Sequence, residues 1–321
     1  MKILAQYSAI LEEALQHTKF PEEPHNLYDP LRYFLQLGGK RMRPMLTLMA
    51  CKLVGSPLEK ALPAALAVEY FHNFSLIHDD IMDAAPLRRG QATVHEKWNA
   101  HIAILSGDVL LVKAYDHLAS YDAETFKNLY SIFNKTAVEV CEGQQIDMDF
   151  EQRTEVNEAD YLEMIRLKTS VLLGCALQMG GIVGGAQAKD SQHLYDFGEQ
   201  LGLAFQIQDD ILDLYGESAQ VGKQIGGDVL ANKKTLLSII AKRNADTTQL
   251  EELMNMERTT NPELKVARAQ ELYTKLGARS YCEVKMHFHH QKALEALQSM
   301  SAHNTSSELL ELSEFLLTRS F

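Results

Sequence analysis

The sequence predicts an all-α protein, a single large helical bundle that spans residues 1–321 around one core. Seven of the eight prolines lie at or before Pro86 and the eighth is Pro262, so the residue that breaks helices is absent from 87–261. No stretch shows sustained alternation of apolar and polar residues with β-branched enrichment, and no Asn-Gly or Asp-Gly pair signals a hairpin. No linker rich in proline, glycine or serine divides the chain.

Capping residues predict where helices begin. Ser56–Glu59 offers a cap residue, a first-turn proline and an acid three positions on, and we expect Pro63 to end or kink the short helix that follows. Asn157 with Asp160 opens another helix, and Asn261–Glu263 opens a late one. Such starts predict a bundle of roughly ten or more helices.

The charge balance narrows the function. Lys and Arg number 31 against 43 Asp and Glu, which gives a net charge of -12. A general nucleic-acid binder is normally basic, so this class is disfavoured. An anionic small substrate would need local cations and metal ions to overcome the field of the whole protein.

The cysteines and the apolar segments bear on location. The four cysteines are widely spaced without a CxxC pair, so we expect no zinc site and a reduced, cytoplasmic chain. Residues 1–15 are too short and too acidic for a signal peptide. The segment 170–188 is apolar but contains Gln178 and several glycines, so we interpret it as a buried helix and expect no transmembrane segment.

A five-residue acidic pattern occurs twice and is the strongest signal in the chain. The first aspartate motif is Asp79-Asp80-Ile81-Met82-Asp83, and the second is Asp209-Asp210-Ile211-Leu212-Asp213. On a helix the first and last acids of each motif lie one turn apart, so their carboxylates can converge. Half-buried carboxylates among apolar neighbours need a counter-charge, and clustered oxygen ligands suit Mg²⁺ bridging to phosphate. A single motif of this kind could equally be a solvated acidic face or a cap.

Cations and glycines accompany both motifs. Gly38–Pro44 (GGKRMRP) places three cations beside a glycine pair, and this segment could also be an ordinary helix C-terminus with basic residues near the dipole. Leu87–Gly90 (LRRG) follows the first motif, and arginine pairs are fork donors to phosphate. Glycines and lysines likewise follow the second motif, over residues 222–235. His72 lies two helical turns before Asp79, on the same face.

These segments resemble the trans-type polyprenyl diphosphate synthases, the family that contains farnesyl and geranylgeranyl diphosphate synthases. The resemblance runs from Gly38 to about Thr235 and rests on motifs that occur in the family's order: GGKRMRP, SLIHDDIMD, LRRG, GQQID, KT, FQIQDDILD and GGDVLANKKT. It implies an isoprenoid synthase fold with a central active-site cavity. It also implies a Mg²⁺-dependent condensation of isopentenyl diphosphate with an allylic diphosphate, and a homodimer.

The resemblance implies a role for each matching residue. Three Mg²⁺ per active site would be bound by Asp79, Asp80, Asp83, Asp209, Asp210 and Asp213. The allylic diphosphate would meet Arg88, Lys168, Lys223 and Lys233. Isopentenyl diphosphate would meet Lys40, Arg43, His72 and Arg89, while the dipoles of Thr169 and Gln206 would face the developing carbocation. Ala84 departs from the family, which often carries an acidic or amide residue there.

Product length is expected to depend on the helix that precedes the first motif. In the family, side chains one and two turns before the first aspartate face an apolar tunnel. These positions hold Phe74 beside Ser75, with Phe71 further back. One aromatic residue with a small neighbour resembles geranylgeranyl-type enzymes, so we expect that product, with farnesyl diphosphate as the alternative.

Three other readings stay open from sequence alone. A class I terpene cyclase shares the helical architecture and a first DDxxD, but its second metal motif is of another type. A non-catalytic synthase subunit typically loses acids from one motif, whereas both are intact here. A helical scaffold with acidic faces predicts no magnesium-dependent stabilisation by diphosphates.

Overall fold

The structure is a computed structural model, and it describes residues 2–216, 225–301 and 307–317. It is 80% helical, and its described part holds only one two-stranded ribbon. The prediction of an all-α protein is therefore confirmed. Two compact units are distinguished along the chain, and the prediction of one domain over 1–321 stays a prediction.

The elements follow one another in chain order through short loops. The first part of the chain contains α1 (Lys2–Gln16), α2 (His25–Gln36), α3 (Met42–Leu53), a 3₁₀ turn (Leu58–Ala61), α4 (Leu62–Met82), β1 (Leu87–Arg88), β2 (Gln91–Ala92), α5 (Val94–Lys97) and α6 (Ala100–Leu118). The middle contains α7 (Ala123–Gln152), α8 (Glu158–Ile165), a π-helical turn (Arg166–Ser170), α9 (Val171–Gly184) and α10 (Ala188–Tyr215). The last part contains α11 (Gly227–Leu230), α12 (Leu236–Asn244), α13 (Thr247–Glu257), α14 (Pro262–Lys275), α15 (Ala278–Gln298) and α16 (Ser307–Leu317).

The first unit comprises Met1–Ala137, Cys175–Leu194 and Ser301–Glu308. Helix α4 is at its centre, because it packs against both α3 and α6. The helix is apolar around most of its circumference, as expected of a helix enclosed by neighbours, and Val68, Tyr70 and Phe71 are fully buried. Burial of each such side chain contributes about 1.5–3 kcal/mol. This packing fixes the C-terminal end of α4, where the first aspartate motif lies.

The second unit comprises Val138–Gly174, Tyr195–Met300 and Leu309–Phe321. Its core joins Tyr161 and Ile165 of α8, Ile207 and Ile211 of α10, and further apolar side chains of α12 to α15. The apolar face of α10 is thus held at the residues that alternate with the second aspartate motif.

Two of the predicted helix starts are confirmed and one is wrong. The side chain of Asn157 accepts from the backbone N–H of Asp160 in a capping box, and that of Asn261 accepts from Leu264 at 2.9 Å. The Ser56 hydroxyl, however, donates to the Gly184 carbonyl at 2.9 Å and caps nothing. Pro63 lies in the first turn of α4, where a missing N–H costs no hydrogen bond, so it begins a long helix and does not end a short one.

One helical stretch, Glu158–Gly184, is long and apolar enough to cross a membrane by length and composition. Within its most apolar window, 67% of the residues are buried inside the protein. Such burial is typical of a core helix in a soluble fold, which agrees with the interpretation of residues 170–188 from sequence.

Candidate active site

The first aspartate motif lies at the C-terminal end of α4. Asp80 is buried, with 1% of its side chain exposed, whereas the side chain of Asp79 is 23% exposed and Asp83 is exposed. Asp83 follows the last helical residue, and its N–H donates to the Asp79 carbonyl at 2.9 Å. Ala84 then takes the left-handed conformation with φ 48°, which ends the helix.

A short hairpin supplies the counter-charge. Strands β1 and β2 pair antiparallel across a turn in which Arg89 and Gly90 both have positive φ. This places Arg88 against the motif: its Nε donates to the two oxygens of Asp80 at 2.8 and 2.9 Å, and its Nη2 lies 3.7 Å from Asp79. The sequence signals searched for this kind of turn, Asn-Gly and Asp-Gly, missed the hairpin because an Arg-Gly pair forms it.

The remaining predicted cations of the first unit gather around His72. Arg43 Nη1 lies 3.2 Å from His72 Nε2, and burial lowers the pKa of Arg43 to about 10. Burial, followed by the charges of Arg43, Arg89 and Arg88, lowers the pKa of His72 well below its ordinary value. A neutral imidazole can accept from Arg43, and Arg43 Nε is buried without a hydrogen-bond partner in the described structure.

The glycine pair admits Arg89 to this cluster. The Arg89 guanidinium donates to the Gly38 carbonyl. A side chain at Gly39, whose φ is +141°, would place its Cβ 2.7–2.8 Å from that guanidinium. Lys40 is exposed on the same loop. The segment therefore does more than end a helix, because it brings a second arginine to His72.

The predicted tunnel residues form an aromatic cluster in the first unit. The rings of Phe71 and Phe74 lie 5.5 Å apart between centroids, and Phe71 also meets Phe133 of α7 at 5.5 Å. Ser75 donates to the His72 carbonyl at 2.9 Å, so its hydroxyl is satisfied within the helix. Phe133 was not found from sequence, because only the fold brings α7 next to α4.

The second aspartate motif lies wholly within α10, near its C-terminal end. Asp210 is buried and accepts from the Tyr161 hydroxyl at 2.5 Å and from Gln206 Nε2 at 3.3 Å. Burial, with the charge of Asp228, raises the pKa of Asp210 to about 7. Asp213 accepts from the backbone N–H of Asp228 at 3.0 Å, which ties α10 to the start of α11.

Lys168 and Thr169 lie on the π-helical turn. Lys168 Nζ binds Asp147 at 2.5 Å, and the Thr169 hydroxyl donates to Gln206 Oε1 at 3.3 Å. The turn approaches α7 so closely that a Cβ at Gly143 would lie 2.3 Å from the backbone nitrogen of Lys168. This explains the glycine that opens the Gly143-Gln144-Gln145-Ile146-Asp147 segment. Extra residues of this kind are frequent at functional sites.

The loop that follows α10 is described only in part. Lys223 falls outside the described residues. Lys233 is exposed and lies 3.6 Å from Asp228. The neighbouring Lys234 donates to the Phe150 carbonyl at the end of α7 and so is a structural residue, which its sequence position did not reveal.

The arrangement of carboxylates has a bearing on metal binding. Among the residues that the structure describes, no group of three or more His, Cys, Asp or Glu side chains is gathered as for a metal ion. Mg²⁺ takes only one or two protein carboxylates and completes its shell with water and phosphate. The partly exposed carboxylates of Asp79, Asp83, Asp209 and Asp213 are chemically suited to that role.

Taken together, the fold and these residues define an all-helical protein that presents two acidic helix ends and a buried cluster of arginines suited to a polyanion. A sequence profile described as polyprenyl synthetase matches residues 24–276. The chain therefore belongs to the polyprenyl synthetase family and is a prenyltransferase.

Characterised relatives agree over almost the whole chain. The short chain isoprenyl diphosphate synthase of Methanothermobacter thermautotrophicus is 36% identical over 320 residues, which cover 99% of this chain and 98% of that one. A crystal structure of a geranylgeranyl pyrophosphate synthase is 44% identical, covers 99% of both chains and superposes with a TM-score of 0.93. The geranylgeranyl pyrophosphate synthase of Corynebacterium glutamicum, solved with calcium and isoprenyl diphosphate, is 29% identical with a TM-score of 0.83 and covers 99% of this chain and 96% of that one.

Proposed function

We propose that this prenyltransferase condenses isopentenyl diphosphate with an allylic diphosphate and makes geranylgeranyl diphosphate. The observation that carries the proposal is the buried arginine cluster at His72. Arg43, Arg88 and Arg89 are close enough for their charges to suppress protonation of the imidazole, and Arg43 Nε keeps an unused buried donor. A diphosphate would complete such a cluster, because it is a polyanion that accepts from guanidinium forks.

The isopentenyl diphosphate is assigned to Lys40, Arg43, His72 and Arg89. The neutral His72 would hold Arg43 in place through the 3.2 Å contact, so that the guanidinium presents its remaining donors to the phosphate. Arg89 reaches the same position because Gly39 leaves room for it. The double bond of this substrate is the nucleophile, so the chain needs only to bind and orient it.

The allylic diphosphate is assigned to the two aspartate motifs and to Arg88, Lys168, Lys223 and Lys233. Asp79, Asp80, Asp83, Asp209, Asp210 and Asp213 would hold the Mg²⁺ ions, three per active site by family expectation. When bound, such ions neutralise charge on the departing diphosphate as Lewis acids. Lys168 would exchange Asp147 for a phosphate oxygen, because its ammonium is already directed by that contact.

Catalysis then depends on where charge develops. As the allylic C–O bond ionises, negative charge gathers on the leaving diphosphate, and the fixed cations Arg88 and Lys168 stabilise it more in the transition state than in the ground state. The dipoles of Thr169 and Gln206, linked at 3.3 Å, are assigned to the carbocation. The proton lost after attack can pass to the released diphosphate, so no side chain is assigned as the base.

The test is to incubate the purified chain with isopentenyl diphosphate, Mg²⁺ and each allylic starter in turn, and to size the products. We expect elongation to stop at twenty carbons. A product that stops at fifteen carbons would favour the farnesyl alternative. Failure to incorporate isopentenyl diphosphate with every starter would contradict the proposed function.

Product length is assigned to the aromatic cluster below the first motif. Replacing Phe74 with alanine removes the ring nearest to Asp79, and we expect longer products because the growing chain gains room. The matched control is Phe288→Ala, since Phe288 is 50% exposed on α15. An unchanged product distribution in Phe74→Ala would remove Phe74 as the floor of the tunnel.

We also propose that the protein is a cytoplasmic homodimer. All four cysteines are free, which suits a reducing compartment. Helix α6 exposes Ile104, Leu105 and Val112 by 42%, 58% and 61%, and an apolar face of this kind suits a second copy of the chain. Light scattering of the wild type and of Val112→Asp tests this, with a dimer expected only for the wild type.

A further inference from the structure

Arg41 differs from its neighbours in the GGKRMRP segment because it is fully enclosed. Its side chain has no exposed area, whereas Lys40 is exposed and Arg43 is partly exposed. Its backbone takes the left-handed conformation with φ 47°, which is unfavourable for a residue with a side chain. Such a conformation at the first turn of α3 persists only where the surroundings enforce it.

The surroundings of Arg41 come from three helices of the first unit. Its Nε lies 3.0 Å from Glu12 of α1, its Nη1 lies 2.5 Å from Glu69 of α4, and its Nη2 donates to the Leu35 carbonyl near the end of α2 at 2.6 Å. Glu69 is itself 2% exposed and also accepts from Asn73 at 2.8 Å. Every nitrogen of the Arg41 guanidinium is thus engaged inside the protein.

We propose that Arg41 is a positioning residue, which holds the loop of Lys40 and Arg43 through Glu69, Glu12 and the Leu35 carbonyl and binds no substrate itself. The inference rests on the proposed function, because it assigns a role beside the isopentenyl diphosphate residues. It separates three adjacent cations into two that meet the ligand and one that anchors them.

Electrostatics give the pair a second effect. The charge of Glu69 reaches the neighbouring cations, since it raises the pKa of Arg43 and of Arg89 against the lowering by burial. Removing Arg41 alone would leave Glu69 as an uncompensated buried anion next to residues that must bind a diphosphate. Removing both charges would relieve that repulsion.

The experiment is a double-mutant cycle with Arg41→Gln, Glu69→Gln and the double variant in the full chain. The readouts are KM for isopentenyl diphosphate, KM for the allylic diphosphate, kcat, and the affinity for inorganic diphosphate by calorimetry. We expect Arg41→Gln to raise KM for isopentenyl diphosphate by about tenfold or more, with smaller changes in the allylic KM. We expect Glu69→Gln to leave that KM unchanged or lower, and the double variant to lie within about threefold of the wild type.

Matched controls come from an exposed ion pair. Arg279→Gln and Glu283→Gln remove the same charges from partners that are 47% and 41% exposed, and we expect no change in either KM. Arg41→Lys keeps the charge but loses the fork, and we expect about a threefold rise in KM for isopentenyl diphosphate. This variant keeps the proposal testable if Arg41→Gln fails to fold.

The outcomes separate the two assignments. If Arg41→Gln raises KM equally in the wild-type and the Glu69→Gln backgrounds, Arg41 contacts the substrate and the inference is wrong. An unchanged KM in Arg41→Gln would also overturn it. If the wild type does not condense isopentenyl diphosphate, the proposed function fails, and the calorimetric cycle with inorganic diphosphate still decides whether Arg41 acts through Glu69.

Discussion

The two aspartate motifs share a sequence pattern but not an electrostatic solution. Each lies near the C-terminal end of a long helix, where the helix dipole disfavours negative charge. In the first unit, Arg88 compensates Asp80 with a full charge at 2.8 and 2.9 Å. In the second unit, Asp210 is held by two neutral donors, Tyr161 and Gln206, and its pKa rises to about 7.

This difference suggests different behaviour of the two motifs. A carboxylate paired with an arginine stays charged and keeps its place, whereas a buried carboxyl with neutral donors is sensitive to any further charge nearby. The buried second acid of each motif is therefore held by protein groups, and its flanking acids are the more accessible ones. We infer that the flanking acids make the larger contribution to ion binding.

The largest expected effect would come from removing a flanking acid of either motif. Asp79→Ala or Asp209→Ala should reduce turnover by orders of magnitude, because ionisation of the allylic diphosphate loses the charge that binds its metal ions. The fold should persist in both, which circular dichroism checks. Near-wild-type condensation by either variant would break the proposed equivalence of the motifs.

The next effect tests the charged solution in the first unit. Arg88→Gln leaves Asp80 buried without its partner, and we expect a loss of about 3–5 kcal/mol in the free energy of unfolding, measured with urea. The double variant Arg88→Gln with Asp80→Asn should recover much of this loss. A loss below about 1 kcal/mol in Arg88→Gln would show that the pair behaves like an exposed one.

The corresponding change in the second unit should cost less. Tyr161→Phe keeps the buried ring and removes only the hydroxyl that donates to Asp210, so we expect a loss of about 1–2 kcal/mol in the free energy of unfolding. Tyr130→Phe is the matched control, because Tyr130 is 45% exposed. If Tyr161→Phe destabilised the protein as much as Arg88→Gln, the distinction between charged and neutral support would not hold.

The sequence predicted what local spacing determines. The capped starts at Asn157 and Asn261 and the helical setting of both acidic motifs follow from residues within a turn or two of each other. Long-range partners could not be predicted in this way. Glu69 lies 28 residues from Arg41, and Tyr161 lies 49 residues from Asp210, so only packing shows that they meet. The same limit hid Lys265, a buried lysine whose ammonium binds Asn232 at 2.7 Å.

The smallest expected effect concerns how the first motif ends. Ala84 adopts φ 48° while Ala85 donates to the Asp80 carbonyl at 2.9 Å, an arrangement that favours glycine at position 84. We expect Ala84→Gly to increase the free energy of unfolding by about 0.5–1 kcal/mol, since relief of the left-handed strain exceeds the added entropy of the unfolded chain. Ala231→Gly is the control, because Ala231 has φ -80° after α11 and should lose stability instead. Equal shifts of the same sign in the two variants would mean that the conformation of Ala84 carries no strain.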